Sequence, residues 1–213
     1  RDLEHEGLVE RARGGASLRL RLDGLSEIVP NLLPEVWLRE ASLRLASIVE
    51  RSLGSQGERY GLGLLYLQGG DMAKAFSHLV AAGDYFASFS PRDAALAYSR
   101  ALGCVSEDDA TAEINERIGD MRLAVGDFDG ALASFEAGSR MRPSSLRRLG
   151  WVEGLRGDTD RAVLVLTECG ERATARGDLV EAARVNSDLG YVRSTQSRMD
   201  LAFSLLGQAK TFF

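Results

Sequence analysis

The chain has 213 residues, of which 45% are hydrophobic and 27% are charged, and this ordinary globular composition excludes a disordered protein. Its 26 basic and 31 acidic residues give a formal charge of −5, which disfavours a nucleic-acid binder because such proteins usually carry a basic face. The longest apolar runs, such as 162–166, are much shorter than the roughly 20 residues of a membrane span.

The first 33 residues differ in pattern from the rest of the chain. Residues 1–14 have helical spacing, residues 17–22 alternate polar and apolar side chains as a strand does, and residues 23–34 indicate a short, proline-broken helix. Because residue 1 is not Met, we expect a piece of a longer protein. We therefore predict the end of a preceding segment at 1–33 and one helical repeat domain at 34–213.

From residue 34 onward, apolar residues recur at helical spacing, and the breaks between helices are short and centred on Gly or Asp. This pattern predicts ten helices, at 35–53, 57–69, 72–88, 91–103, 108–125, 128–141, 145–156, 159–176, 179–196 and 199–212.

A repeated register connects these helices. A Leu-Gly or Ile-Gly pair recurs with Gly-Asp seven residues after its Gly and Ala twelve residues after it, although Ser197-Arg198 replaces the last Gly-Asp. We predict that the repeat Gly lies where two helices of a hairpin cross, with the Ala as its small partner. The Gly-Asp pair should end the first helix and cap the second. The repeat glycines are Gly63, Gly119, Gly150 and Gly190, and the alanines are Ala75, Ala131, Ala162 and Ala202.

The interval between the first two repeat glycines is longer than the others. It contains Ala94, Tyr98 and Ala101 at second-helix positions of an additional element. The helix at 72–88, which contains Gly83, is therefore predicted to serve two adjacent hairpins.

This register resembles the tetratricopeptide repeat (TPR), a helix–turn–helix unit of about 34 residues. The resemblance implies an all-α, right-handed superhelical solenoid of TPR-like hairpins after a short α/β-like N-terminal segment. It also implies a groove for a protein or peptide ligand, lined by first-helix positions around each repeat Gly. Carried over to this chain, those positions are Tyr60, Leu64, Glu113, Glu116, Asp120, Ser144, Arg147, Trp151, Arg184, Ser187 and Tyr191.

Trp151 and Tyr191 are the rigid aromatic anchors in this set, of the kind enriched at binding hot spots. The pattern leaves open whether either ring faces the groove or packs between repeats. Acidic side chains are concentrated in 105–143, and either a basic partner or a merely solvated face accounts for them.

The order of segments over 15–145 is also similar to the junction between ATPase core and repeat array in bacterial multidomain signalling ATPases, the STAND class linked to cyclase, kinase or LuxR-type outputs. The residues that carry this similarity are Leu18 to Leu22, Leu32-Leu33-Pro34, Arg39-Glu40 and Arg44-Leu45-Ala46. The sequence departs from the class where Arg19-Leu20-Arg21 replaces a histidine-rich strand, and it has no phosphate-binding G-x-x-x-x-G-K-[ST] loop. The resemblance implies a cytoplasmic sensor or scaffold whose parent protein carries any enzymatic activity elsewhere.

We predict no catalytic, cofactor-binding or metal-binding residues. His5 and His78 lie far apart, with His78 expected at the surface or in the groove, and the acidic run 107–113 lacks calcium-loop spacing. Cys104 and Cys169 fit buried thiols of a reducing compartment.

Two other functions remain open besides binding of a protein or peptide, or of other domains of the same chain. The chain is a self-association module if Phe212 and Phe213 cover another subunit, because solenoid ends need capping. Alternatively, it packs passively on an upstream ATPase, cyclase or kinase.

Overall fold

The computed structural model describes residues 9–11, 18–20 and 34–212, with side chains from residue 34 onward. Within these ranges the chain forms two short strands, a 3-10 turn at Gln56–Glu58 and ten α-helices, whose ends agree with the predicted ones to within three residues. The strands are β1 (Val9–Arg11) and β2 (Leu18–Leu20). The helices are α1 (Glu35–Arg51), α2 (Arg59–Gly69), α3 (Met72–Ala87), α4 (Pro91–Leu102), α5 (Asp108–Ala124), α6 (Phe128–Gly138), α7 (Pro143–Arg156), α8 (Thr159–Ala175), α9 (Leu179–Thr195) and α10 (Met199–Lys210).

The two strands form an antiparallel pair in which Glu10 lies opposite Arg19. The strand predicted at 17–22 corresponds to β2, but the helical spacing of 1–14 is wrong at Val9–Arg11, which forms β1 instead. Pairing with β2 satisfies the backbone of this segment, and such tertiary pairing overrides a local helical pattern. The short helix predicted over 23–34 lies outside the described residues, apart from Pro34 before α1.

Each helix from α1 to α10 packs against the next one along the chain, which is the arrangement of stacked hairpins. The repeat glycines lie at the crossings, as predicted. A Cβ added to Gly119 would lie 2.5 Å from the Phe135 ring, and one added to Gly150 would lie 2.7 Å from Leu166. The prediction of an alanine partner is wrong in one respect. The alanines are buried, but they do not face the glycines. Each repeat glycine packs against the large residue four positions after the repeat alanine, as Gly119 packs against Phe135.

Helix α3 belongs to two hairpins, as the repeat spacing predicts. Leu79 in its middle packs on Gly63 of α2, while Gly83 packs under the ring of Tyr98 in α4. The same helix therefore serves as second helix to α2 and as first helix to α4. The helices that follow pair as α5 with α6, α7 with α8 and α9 with α10.

The predicted helix ends follow the Gly-Asp register. Gly70, Gly126, Gly157 and Gly177 all have left-handed backbone, with φ between 72° and 92°. The next Asp then caps the following helix; the Asp71 carboxylate, for example, accepts a hydrogen bond from the Lys74 backbone N–H at 3.1 Å. At the last repeat Ser197 takes φ of 61°, and Arg198 provides no side-chain cap.

The apolar core runs along the stack in three clusters. The largest surrounds Phe135, Leu166 and Cys169, and the others surround Leu62 and Tyr98. Cys169 is fully buried, whereas Cys104 is only half-buried. No helix among the described residues has the length and apolar character needed to cross a membrane.

His78 is buried, which corrects the expectation that it lies at the surface or in a groove. Its ring stacks on Tyr66 with ring centroids 5.6 Å apart, and its Nε2 lies 3.3 Å from Glu50 Oε1. Tyr66 Oη and Lys74 Nζ also donate hydrogen bonds to Glu50, at 2.5 and 3.0 Å. His78 occupies a core position of its hairpin. The Glu50 carboxylate of α1 gives the buried imidazole a polar partner there.

Candidate functional site

The odd-numbered helices lie side by side across the stack. Helix α7 contacts both α5 and α9 directly, although neither is its partner within a hairpin. We call the side chains that meet across these contacts the odd-helix face. This face contains most of the residues predicted to line a groove, because the repeat register places those residues on first helices.

Glu116 joins α5 to α7. Its carboxylate accepts hydrogen bonds from Ser144 Oγ at 2.6 Å, Ser145 Oγ at 2.8 Å and Arg148 Nη1 at 2.7 Å, and Arg142 Nε lies 3.3 Å away. Burial raises the pKa of Glu116, but the two serine hydroxyls and the charges of Arg148 and Arg142 outweigh it, so the net pKa lies below the ordinary value. Glu116 is therefore an ionised, fully engaged carboxylate.

Asp120 lies one turn further along α5 and shares Arg148 with Glu116. Arg148 Nε donates to Asp120 Oδ1 at 2.7 Å. Burial raises the pKa of Asp120 despite this opposing charge, and the neighbouring carboxylate of Glu116 adds to the rise. The two carboxylates thus share one guanidinium, each through a different nitrogen.

Arg147 joins α7 to α9. Its Nε donates to Glu181 Oε1 at 2.9 Å, and its Nη1 donates to Asp188 Oδ2 at 2.7 Å. All three side chains are largely buried. Burial lowers the pKa of Arg147, but the two carboxylates outweigh it and the net pKa rises, so the guanidinium stays charged. Arg184 Nη1 also donates to Glu181, at 3.3 Å.

Arg117 extends these ion pairs to α3. Its Nη1 donates to Asp84 Oδ1 and its Nη2 donates to Glu113 Oε1, both at 2.6 Å. Asp84 also accepts a hydrogen bond from Tyr98 Oη at 2.7 Å. A chain of ion pairs, which we call the inner ion-pair network, therefore runs from α3 through α5 and α7 to α9.

Trp151 and Tyr191 contact each other across the α7–α9 junction. Their ring centroids lie 4.9 Å apart with planes inclined by 50°, a tilted contact within the distance range of favourable aromatic pairs. Trp151 is half-buried, whereas Tyr191 keeps 46% of its surface exposed. The two rings thus pack between repeats, and Tyr191 still presents an aromatic surface, while its orientation toward a ligand groove stays a prediction.

Tyr60 and Leu64 lie apart from the other predicted groove residues. The Tyr60 ring packs edge-on against Phe86 of α3 with centroids 6.4 Å apart, and Leu64 packs on the N-terminal core cluster. Both residues belong to α2, an even-numbered helix. Because α3 serves two hairpins, the register of α2 is out of step with that of α5, α7 and α9, and the shift moves these two positions away from the odd-helix face.

About half of the inner ion-pair network lies outside the residues predicted from the sequence. Arg117, Arg148 and Asp188 each lie two residues before a repeat Gly and complete the pairs of the predicted residues. A recurring charge at this single register position was the available signal. The TPR resemblance points to other first-helix positions and therefore does not predict these charged residues.

The odd-helix face consists of ion pairs that connect neighbouring odd-numbered helices and of the Trp151–Tyr191 aromatic pair. The acidic excess of 105–143 is offset where arginines pair with Glu113, Glu116 and Asp120, so the face is less negative than the sequence indicates. Within the described residues, no group of His, Cys, Asp or Glu side chains is arranged to hold a metal ion. The Trp151–Tyr191 pair is the aromatic part of this face, with 46% of Tyr191 exposed.

No protein-family model matches the chain, and comparison with curated proteins finds no match. Solved structures do match. One is MamA, with a TM-score of 0.54 and 14% identity over 81% of this chain and 90% of that one. Another is YrrB, described as a TPR protein with an unusual peptide-binding site, with a TM-score of 0.53 and 13% identity over 87% of this chain and 88% of that one.

A third match is a putative kinesin light chain from Podosopora anserina with nearly identical TPR-like repeats. Its TM-score is 0.54, with 13% identity over 84% of this chain and 96% of that one. At such low identity these similarities show the fold alone. The chain is an all-α solenoid of TPR-like hairpins.

Proposed function

We propose that this chain is a protein- or peptide-binding scaffold, with the Trp151–Tyr191 pair as the anchor of its binding groove. The observation that carries this proposal is the pair itself: two large rings in contact across a repeat junction, one of them half exposed, on a face otherwise occupied by ion pairs. Aromatic side chains in such settings supply most of the binding energy of protein interfaces.

The inner ion-pair network supports this role by holding the anchor in place. Arg147 lies one turn before Trp151, and its partner Asp188 lies one turn before Tyr191. The ion pair therefore fixes the distance between the two helices that present the rings. A groove whose width is set before binding loses less entropy on association than a flexible one.

We further propose that the scaffold is the sensor region of a cytoplasmic bacterial signalling regulator, with residues 1–33 as the end of its ATPase-associated segment. The support for this is the segment order over 15–145. The gene sequence that precedes the codon for Arg1 tests it directly. A phosphate-binding loop upstream is the expected result, and an upstream region without one would contradict the regulator assignment.

The groove assignment can be tested with peptides selected from a random display library on the 213-residue chain. Fluorescence polarisation then measures their affinity for the double variant Trp151→Ala/Tyr191→Ala. Loss of a hot spot should weaken binding about 30-fold or more. A matched control is Tyr85→Ala/Phe89→Ala, which removes another exposed aromatic pair, with centroids 5.0 Å apart on and beyond α3.

The control variant should bind as the unaltered chain does, and circular dichroism should show unchanged helicity in both variants. Equal affinity of the unaltered chain and the Trp151→Ala/Tyr191→Ala variant would refute the groove assignment. Loss of affinity in the control alone would place the binding site on α3 instead.

A further inference from the structure

A small pocket lies where α2, α3 and α4 meet, on other helices than the Trp151–Tyr191 pair. It is lined by Tyr60 of α2, Phe86 of α3, and Asp93 and Leu96 of α4, and its volume is about 80 Å³. Because one molecule of liquid water takes up about 30 Å³, the pocket has room for a few waters or for the end of one long side chain.

Two aromatic rings form a corner of this pocket. The ring centroids of Tyr60 and Phe86 lie 6.4 Å apart, and the ring planes are inclined by 66°. A cation beside such a corner can lie within about 6 Å of both centroids, which is the range of cation–π attraction. The aromatic walls therefore suit a positively charged group on an apolar stem.

Of the four residues that line the pocket, Asp93 is the charged one. Its Oδ2 accepts a hydrogen bond from Ser90 Oγ at 2.6 Å, and no basic side chain of the described residues forms an ion pair with it. An apolar occupant would remove water from this carboxylate without replacing the lost hydrogen bonds, which is costly. A cationic occupant instead supplies both a donor and the opposite charge. Asp93 thus favours a basic occupant over an apolar one.

The turn between α3 and α4 holds the pocket in shape. The Phe86 carbonyl accepts hydrogen bonds from the backbone N–H of Phe89 at 3.0 Å and of Ser90 at 2.7 Å. Pro91, whose φ is restricted by its ring, then begins α4. These contacts fix Phe86 relative to Asp93, so binding requires little further ordering of the chain.

Exposed apolar side chains border the pocket. Leu96, which lines it, is 47% exposed, and Phe89, whose ring lies 5.9 Å from that of Phe86, is 61% exposed. Tyr85 packs edge-on against Phe89 and is 42% exposed. This surface can contact the residues on either side of a bound side chain, which favours a polypeptide ligand over a small free cation.

We propose that this pocket binds a lysine side chain of a protein partner. The ammonium group lies beside the Tyr60 and Phe86 rings and pairs with the Asp93 carboxylate. The compact ammonium fits a pocket of about 80 Å³ better than the larger, planar guanidinium of arginine does. The pocket shares no residue with the Trp151–Tyr191 pair, so this proposal does not rest on the groove assignment.

Two small probes test the pocket in the 213-residue chain by NMR titration of its backbone amides. Acetyl-lysine methylamide carries the ammonium, and acetyl-norleucine methylamide has a similar stem without it. The lysine probe should bind about 5-fold more tightly than the norleucine probe, with shifts at the amides of Tyr60, Phe86, Asp93 and Leu96.

Two variants separate the charge from the rings. Asp93→Asn keeps the shape of the side chain and should weaken the lysine probe up to about 5-fold while leaving the norleucine probe unchanged. Phe86→Leu should weaken the lysine probe about 2- to 5-fold through loss of the ring. Asp160→Asn, which removes a first-turn charge from α8, is the matched control and should have no effect on either probe.

Other results would overturn the proposal. Equal affinity for the two probes would mean an apolar pocket, and shifts confined to amides around Trp151 and Tyr191 would place lysine binding elsewhere. Tighter binding of acetyl-arginine methylamide or of choline would assign the pocket to another cation. Tyr60→Leu replaces Phe86→Leu if circular dichroism shows that the latter has lost helicity. Trp151→Ala/Tyr191→Ala should bind the lysine probe normally, so failure of the groove assignment is separable from failure of this one.

Discussion

The crossing at Gly119 offers the sharpest test of how the stack is held together. Gly119 lies in the middle of α5, against the ring of Phe135 in α6. Gly119→Ala adds one methyl group at this crossing. Gly61→Ala makes the same change in α2, where no heavy atom lies within 4 Å of the added Cβ.

The two substitutions should differ in their effect on stability, with Gly119→Ala the less stable variant. In both, replacing a helical Gly by Ala removes backbone entropy from the unfolded chain and gains about 1 kcal/mol or less. At Gly119 the new Cβ would lie 2.5, 2.7 and 2.8 Å from three ring carbons of Phe135, about 1 Å inside normal contact. Phe135 is fully buried, so its ring has no free volume to enter. Such overpacking costs about 1–3 kcal/mol, and that cost is the expected difference between the two variants.

Thermal unfolding followed by circular dichroism measures this difference, at about 2–4 °C per kcal/mol for a chain of this size. Gly61→Ala should melt slightly above the unaltered chain and Gly119→Ala below Gly61→Ala. The bulkier Gly119→Leu should lower the midpoint further still. Equal midpoints for the two alanine variants would refute the idea that the glycine is required for helix approach.

Three more predictions concern other features of the stack. Ser197→Gly should raise the free energy of unfolding by about 1 kcal/mol in urea titrations, because a left-handed backbone disfavours any residue other than Gly; no gain would contradict this cap assignment. Arg147→Met should cost about 3 kcal/mol in the same assay, since it leaves the largely buried Asp188 without its ion-pair partner and leaves Glu181 with Arg184 alone, and a neutral result would mean that the network adds no stability. The pKa of Glu50 is lowered from 4.5 to about 2, chiefly by the hydrogen bond from Tyr66, so its contribution to stability is present above pH 4.5 and is lost as the pH falls towards 2. The difference in melting temperature between the unaltered chain and Glu50→Gln should therefore shrink on acidification, and a difference independent of pH would refute this linkage.

The helices could be predicted from sequence because their ends carry local signals. The junction between α2 and α3 is an example. Gly70 adopts the left-handed backbone that Gly tolerates best, and Asp71 caps α3, a role that only a few residue types fill. The strand β1 could not be predicted in the same way. Of its three residues only Val9 favours a strand, and pairing with β2 is what makes the extended backbone favourable for the segment.

The candidate site was less predictable because it depends on contacts between repeats. The register identified Arg147 and Glu116 as members of the odd-helix face, but not that they bind other residues of the same chain. Those contacts depend on how far each hairpin is rotated against the next, and no single helix encodes this angle. The repeat spacing predicts the double role of α3, but the position of Tyr60, whose ring packs on Phe86, depends in addition on how the helices stack.

The double membership of α3 has a consequence for how the protein unfolds. In a regular solenoid each repeat is a separable unit, and stability is close to a sum of repeat and nearest-neighbour energies. Because Leu79 and Gly83 of one helix complete two different hairpins, no boundary between repeats exists within 59–102. We therefore expect α2, α3 and α4 to unfold as a single cooperative block that is held together by a shared helix, whereas the hairpins after residue 107 are joined only by packing and ion pairs between separate helices.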